Sequence, residues 1–505
     1  MYQITDESPK PSPLLLACLV LAGCGVVTGL IMSFFAGLPL AGGALAVLGL
    51  GPLFFILDRI LMPDLLLGPS IYLFGYHALG YGLGPLGQHY ILGTEQYYFE
   101  GMLLAQWGAV IGLVAYALVF PVFFRLARSW SAARLKPAAV KGDDYQSWQS
   151  FTLFLMAGTA FLLALGTVTG ALKRVGGSAN DTSLGLLSVL TAFSQIQFIV
   201  FFFLGVLAVK RRRPWLVILV LSYCGFFIFY SLQGSRGPIL TALLIIGLGV
   251  AYAGAPRRKI MLGLFIAFLA FIPLAGIIVL YRSNADYTSL YDQGFAGQVE
   301  AFLTASQDFN SSVSTGERNA SEEFLIAVTA LSVDKVMLLH PDYLPYDGFD
   351  KAEAVLFSYI PKFLYPDRPE IGDSNTLAFR YGTGSDDGST FSYLPTVGEG
   401  YRRFGWLGIP LMYALCALVF GVSGGLAWAR RQNVAWVALA IFLWTQAPTV
   451  WSSTLNLIIY FGIFTVPKYF IFFFLITKLK SGLSLFSRES QAVNRPEFMV
   501  TRPHD

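Results

Sequence analysis

Arg257-Arg258-Lys259 is followed by Ile260-Met261-Leu262-Gly263-Leu264-Phe265-Ile266-Ala267-Phe268-Leu269-Ala270-Phe271-Ile272-Pro273-Leu274-Ala275-Gly276-Ile277-Ile278-Val279-Leu280-Tyr281, a run without one charge that ends at Arg282. As an α-helix, its roughly 22 residues at about 1.5 Å each reach across a hydrocarbon core about 30 Å thick. Cations clustered at one end of such a run are the signature of a span oriented by the positive-inside rule. The pattern recurs along the chain. Only 13% of the 505 residues are charged against 55% hydrophobic, where a soluble globular protein carries about 25% charged side chains. A water-soluble globular fold is excluded.

Working outward from 260–281, spans are expected near 13–34, 37–57, 62–84, 102–124, 150–171, 188–209, 214–230 and 238–254 before it. After it come 405–428, 434–451 and 455–477, which makes an all-α polytopic membrane protein of about twelve transmembrane helices. The 62–84 span is the most broken, because Gly, Pro and His77 interrupt it. Basic clusters fall in alternate connectors: Arg125, Arg128, Arg134, Lys136 and Lys141, then Lys210 to Arg213, Arg257 to Lys259, and Arg430 with Arg431. Both termini are therefore expected in the cytoplasm. The net charge of +4 is accounted for by these clusters, so nucleic acid is not an expected partner. Leu21-Ala22-Gly23-Cys24 resembles a lipoprotein signal, but the apolar run continues through Phe35 as a span does.

One stretch has a different composition. Residues 283–404 hold 18 acidic and 8 basic side chains, a net charge of −10, and form the only segment between spans large enough for a folded extracytoplasmic domain. Its many aromatic residues argue for order, and Glu322 to Leu339 is expected to be helical. The chain thus divides into 1–282 with nine spans, the loop domain 283–404, 405–480 with three spans, and a cytoplasmic tail 481–505.

Three segments carry candidate chemistry. Ser231-Leu232-Gln233-Gly234-Ser235-Arg236-Gly237-Pro238 joins two short spans, so Arg236 is expected near the outer membrane surface, where it either meets a substrate phosphate or pairs with lipid. Arg282 poses the same alternative, with a simple salt bridge to Asp286 as the other reading. Pro361-Lys362-Phe363-Leu364-Tyr365-Pro366-Asp367-Arg368-Pro369 is stiffened by three prolines and presents Lys362 and Arg368 beside aromatics, suited to a sugar phosphate or to a loop lying on the membrane. Arg380 follows, before the glycine-rich acidic stretch Gly382 to Gly388, which is expected to be a flexible loop, with a mobile lid or a divalent-cation site as the other readings, although its acids lack EF-hand spacing. Gly398-Glu399-Gly400-Tyr401-Arg402-Arg403-Phe404-Gly405-Trp406-Leu407-Gly408 comes last. There Glu399 is expected to face the membrane surface as a general base tuned by neighbouring arginines, with Arg402 or Arg403 binding an anion, unless the segment is an interfacial anchor. Four scattered His residues and four Cys within apolar runs give neither a metal site nor a Ser-His-Asp arrangement. No nucleotide-binding loop is present in the sequence.

Taken in order, Gly234-Ser235-Arg236-Gly237, Ile360 to Pro369, and Gly398 to Gly405 resemble the bacterial oligosaccharide repeat-unit polymerases, the O-antigen polymerase or Wzy-type family. The resemblance runs from about residue 210 to 470; the Arg402-Arg403 pair departs from the less charged pair more often seen there. It implies a GT-C-like, metal-independent glycosyltransferase of the bacterial inner membrane that needs no cofactor. Such an enzyme joins undecaprenyl-pyrophosphate-linked oligosaccharide repeat units at the periplasmic face, into O-antigen, capsule or exopolysaccharide. A chain-length regulator and a flippase of the same pathway are the implied partners, besides membrane lipids. For that reaction Arg236 and Glu399 are the expected catalytic residues, Glu399 as the base because it sits between two glycines beside arginines, and Arg282, Arg368, Arg380, Tyr401 and Arg402 are expected to bind substrate. A ligase using the same lipid-linked donor, a polysaccharide flippase or transporter, and a non-catalytic assembly partner are the competing readings.

Overall fold

The structure, a computed structural model, describes residues 13–63, 68–134, 145–168, 197–211, 214–231, 237–284, 294–315, 320–357, 360, 365, 367, 369, 374–382, 394–431, 434–445, 455–471 and 473–474. Every regular element among them is helical. The first group is α1 (Pro13–Phe34), α2 (Pro39–Gly49), α3 (Gly51–Leu61), α4 (Pro69–His77), α5 (Phe99–Arg134), α6 (Tyr145–Val168), α7 (Gln197–Arg211), α8 (Pro214–Ser231), α9 (Gly237–Tyr252) and α10 (Arg257–Asn284). Within the acidic segment lie α11 (Gly294–Ser314), α12 (Ala320–Val328), α13 (Val333–Leu339) and α14 (Ser374–Arg380), with a single turn at Ala354–Phe357. The last group is α15 (Thr396–Phe404), α16 (Gly408–Trp428), α17 (Val434–Thr445) and α18 (Leu455–Tyr460). Proline opens several of these helices: Pro13, Pro39, Pro69 and Pro214 each occupy a first position, where a missing N–H costs nothing and a fixed φ is already helical.

The chain is an all-α membrane protein. Among the described residues, five helical stretches are long and apolar enough to cross a bilayer: Pro13–Phe34, Pro39–Leu61, Phe99–Ala133, Arg258–Ile278 and Thr396–Trp428. Shorter apolar helices cover Phe151–Leu165, Gln197–Lys210, Ile239–Tyr252, Val434–Thr445 and Ile458–Ile471. Burial sorts them into shells. In α1 the side chains of Leu14, Leu16, Val20, Leu21, Val27 and Ile31 are exposed, a surface tolerable only against lipid. By contrast α7 buries Phe198 through Leu204 and α17 buries Val434 through Trp444, as helices apolar on all sides do at the centre of a bundle. Among the described residues the most extensive helix pair is α5 with α16. Gly421 and Gly425, four apart, face it so tightly that a Cβ on Gly425 would stand 2.5 Å from the Phe124 carbonyl oxygen, the small-residue packing of membrane helices.

The 62–84 region departs from a simple span. After α4 the backbone widens into a π-helix at Ala78–Leu83, makes one turn at Gly84–Leu86, and enters a second π-helix at Gly87–Leu92 that closes at Gly93 with φ +63°. Pro85 has no N–H to give, and Gly80, Gly82 and Gly84 hold the α-form weakly. The wider winding leaves carbonyls that need donors from elsewhere. Gly80 O accepts the backbone N–H of Ala330 at 3.0 Å, and Tyr81 O accepts from Gln106 Nε2 at 2.8 Å. Because 329–332 is drawn into this gap, with Gln88 Nε2 also 2.8 Å from Thr329 Oγ1, the single helix expected over 322–339 is split into α12 and α13. Ser332 at φ +74° marks the break.

Asp58 is buried at the end of α3. Its carboxylate accepts the N–H groups of Ser70 at 3.2 Å and Ile71 at 2.8 Å, capping the first turn of α4. The acidic segment is anchored on the other side by α11 and α12 against α10, through Phe302 and Phe324 on Phe271, Ala275 and Ile278, and through Phe309 on Tyr281.

Candidate functional site

Among the described residues, a largely buried network of five charged side chains stands where α15 meets the loop ahead of α14. Its centre is local: Glu399, Arg402 and Arg403 sit at i, i+3 and i+4 of α15, which brings both guanidiniums over one carboxylate. Arg402 Nε donates to Glu399 Oε2 at 2.6 Å and Arg403 Nε to Oε1 at 2.5 Å. Oε1 also accepts the backbone N–H of Leu455 at 2.9 Å, the first residue of α18. Glu399, Arg402 and Arg403 are all buried.

The loop 341–353 closes over this centre. Asp347 N–H donates to Arg402 O at 2.9 Å and Gly348 N–H to Arg403 O at 3.0 Å, so the loop satisfies carbonyls at the end of α15 that have no partner within the helix. Arg403 Nη1 returns bonds to Gly348 O at 2.9 Å and Asp350 O at 3.1 Å. The Asp347 carboxylate bridges two arginines. Arg402 Nη1 donates to Oδ2, and Arg380 Nη1, from the last turn of α14, lies 2.8 Å from Oδ1 and 3.0 Å from Oδ2. Asn456 Nδ2 adds a bond to Lys351 O at 2.8 Å. Burial pushes the Asp347 carboxyl up, but the Arg380 and Arg402 guanidiniums outweigh it and hold it below the usual aspartate range.

An aromatic wall backs the charges. His340 Nε2 is 2.8 Å from the Tyr381 hydroxyl, Tyr401 Oη donates to His340 O at 3.3 Å, and Tyr346 stacks on His340 and meets Tyr401 edge-on. Burial first, then the Arg380 charge, lowers the His340 pKa, keeping the ring neutral. Burial pushes the Tyr381 phenol up to about 12. The turn from α15 into α16 passes through Gly405 at φ +61°, a conformation that suits glycine. It brings Gly400 and Gly408 into backbone contact, with a Cβ on Gly400 falling 2.7 Å from Gly408 O.

No known family profile, curated protein or solved structure matches this chain. Among the described residues, three guanidiniums here face two carboxylates. Arg380 is the member that reaches the surface, with 27% of its side chain exposed, and among the described residues no hydrogen-bond partner meets its Nε or Nη2. It lies beside the Tyr381 ring, 5.7 Å from the centroid. That combination is suited to an anion carried on a ring-bearing ligand.

Of the residues singled out from sequence, Glu399, Tyr401, Arg402 and Arg380 come together here. Arg236 and Arg368 lie outside the described residues, as do Lys362 and the stretch 383–393. Arg282 is on the last turn of α10, its side chain likewise outside them. Glu399 does not face the membrane surface. Both its oxygens already accept charge-assisted or backbone bonds, so its visible work is to fix two arginines. Arg403 was legible from its i+4 spacing. Asp347, His340, Tyr381 and Asn456 had no sequence signal, because only the tertiary fold carries them to α15.

Proposed function

We propose that this protein polymerises undecaprenyl-pyrophosphate-linked oligosaccharide repeat units at the periplasmic face of the bacterial inner membrane. On this reading it is a metal-independent, GT-C-like glycosyltransferase with about twelve spans and both termini in the cytoplasm. The observation that carries the proposal is the convergence of Arg380 and Arg402 on Asp347 beside the start of α16. It adds to the three sequence segments that resemble the repeat-unit polymerases, because it gathers residues of the last segment with an outward arginine of the large loop.

In the reaction the acceptor sugar hydroxyl attacks the anomeric carbon of the donor. The bond from that carbon to the diphosphate oxygen breaks, undecaprenyl pyrophosphate leaves with the bonding electrons, and the acceptor hydroxyl proton passes to water or to the departing diphosphate. Arginines suit this step, since planar guanidiniums bind phosphate oxygens in pairs and neutralise the charge that grows on the leaving group. Arg236, Arg282, Arg368 and Arg380 are proposed to hold the diphosphate, and Tyr401 to line the sugar path. Glu399 acts by positioning Arg402 and Arg403. Its alternative role as the base that takes the hydroxyl proton is tested by the pH profile of Glu399→Gln. A chain-length regulator and a flippase would be its pathway partners.

The test is direct. Purified protein in detergent is given the lipid-linked repeat unit of its host, without nucleotide or metal, and products are resolved by size. A ladder spaced by one repeat with release of free undecaprenyl pyrophosphate is expected. Transfer of a preformed chain to a separate lipid acceptor, with no ladder, would assign a ligase instead.

A further inference from the structure

Several large apolar side chains around the charged network are turned outward. Tyr343 is 78% exposed, Phe349 72% and Leu407 75%, with Trp406 at 40%. They form one structural unit. The loop bearing Tyr343 and Phe349 is tied to α15 by the backbone bonds of Asp347 and Gly348 to Arg402 and Arg403. The Phe349 ring meets Phe404 edge-on with centroids 5.0 Å apart, and Trp406 meets Tyr401 at 5.5 Å. The loop therefore stands at the same end of α16 as Trp406 and Leu407, whatever covers it.

What covers it follows from the helix it adjoins. Leu407 directly precedes α16, and Leu411, four residues on and so on about the same side, is also exposed. This helix belongs to a stretch apolar enough to cross the bilayer, and Leu411 is its one exposed leucine, a side chain that lipid would cover. Leu407 is on about the same side, and at about 1.5–2 Å per residue Trp406 lies within a few ångströms of the first turn of that helix. Trp and Tyr, apolar bodies with one polar edge, are the side chains that settle at the headgroup boundary.

We propose that Tyr343, Phe349, Trp406 and Leu407 form an aromatic foot seated in the interfacial layer of the bilayer at the end of α16. The partner is the phospholipid surface itself. This seat does not rest on the polymerase reading, but it bears on it. Asp347 is two residues from Phe349, so the foot holds the Arg380–Asp347–Arg402 network near the phosphate level, where an anionic headgroup on a lipid arrives from the plane of the membrane.

The test is one of depth. Single cysteines replace Tyr343, Phe349 and Leu407 in a full-length chain whose Cys18, Cys24, Cys224 and Cys416 are alanine; each carries an environment-sensitive fluorophore, and the protein is placed in nanodiscs. Phospholipid brominated high on its acyl chains is expected to quench all three labels, and aqueous iodide to quench them little. Iodide quenching at Phe349→Cys and Tyr343→Cys with no response to bromine overturns the proposal. Protection from both quenchers overturns it too, since it would mean a protein partner or second copy on the foot. Trp406→Phe in the native-cysteine chain gives an independent reading: the bromine-quenched share of tryptophan emission is expected to fall. No change in that share counts against the seat.

Discussion

The Glu399 carboxylate accepts a hydrogen bond from the backbone N–H of Leu455, 2.9 Å away and 56 residues further along the chain. That bond joins α15 to the start of α18, and the same carboxylate holds Arg402 and Arg403. One buried charge thus organises the end of the loop segment, the following span and the C-terminal helix.

Glu399→Gln keeps the shape and removes the charge. Breaking a buried, hydrogen-bonded ion pair by changing one partner costs about 3–5 kcal/mol, and here two guanidiniums lose their counter-charge. The substituted protein is expected to unfold at a clearly lower temperature in detergent than the parent, and to lose polymer formation. A melting curve that superimposes on the parent's would remove Glu399 from its organising role. If the polymer yield instead survives at high pH and fails only near neutrality, the base reading gains.

The response to acid has two stages with different owners. The folded pKa of His340 lies below its ordinary value of 6.5, so the unfolded chain takes up the proton first. Its contribution is complete above about pH 6.5 and declines as the pH falls below that. Asp347 is also lowered, from 3.8. The stability it brings is present above about pH 4 and goes only as the pH drops through its lower folded value. In melting temperature against pH, His340→Gln is expected to flatten the first decline and leave the second; Asp347→Asn is expected to shrink the second and, by removing a negative charge that raises the His340 pKa, to extend the first to lower pH. Identical profiles for both variants and the parent would contradict these assignments.

Gly400→Ala places a methyl 2.7–2.8 Å from Gly408 and Ile409 backbone atoms, which have no flexible end to swing away. Alanine would gain about 1 kcal/mol in helix propensity, but forcing packed backbones apart costs about 1–3 kcal/mol. Net destabilisation is expected, with weakened polymer formation through a displaced α15. A stabilised Gly400→Ala protein would mean that the α15–α16 turn is looser than its contacts require.

Charge changes at the proposed diphosphate contacts test their part in the chemistry. Arg236→Glu is expected to abolish polymer in cells while protein level and topology stay at parental values; Arg380→Glu, which sets a carboxylate against Asp347, is expected to abolish polymer and also to lower the melting temperature. Arg380→Lys keeps the charge but loses the paired donors, and a reduced rate rather than complete loss is expected. Normal polymer from the Arg380→Glu protein would detach the outward arginine from substrate.

The membrane character was legible in the chain itself, because about twenty consecutive uncharged residues have few stable alternatives to a buried or lipid-covered helix. Of the expected spans, 13–34, 102–124 and 405–428 coincide with described helices long and apolar enough to cross. The 62–84 span was expected to be broken by Gly, Pro and His77; that the π-helical winding runs on past Pro85 to Leu92 was not. The Glu399, Arg402 and Arg403 grouping was half visible, as helical spacing alone puts them on one face. Where that face points was decided only by tertiary structure: the loop carrying Asp347 folds over α15, α18 brings its first N–H, and an acid expected at the surface is sealed inside. The π-helical carbonyls at Gly80 and Tyr81 tell the same story, for their donors, Ala330 and Gln106, stand 250 and 25 residues away. Local pattern determines which segments are helices because their hydrogen bonds lie within four or five residues. Partners for buried charges and widened turns come from distant parts of the chain, and one-dimensional spacing does not encode that distance.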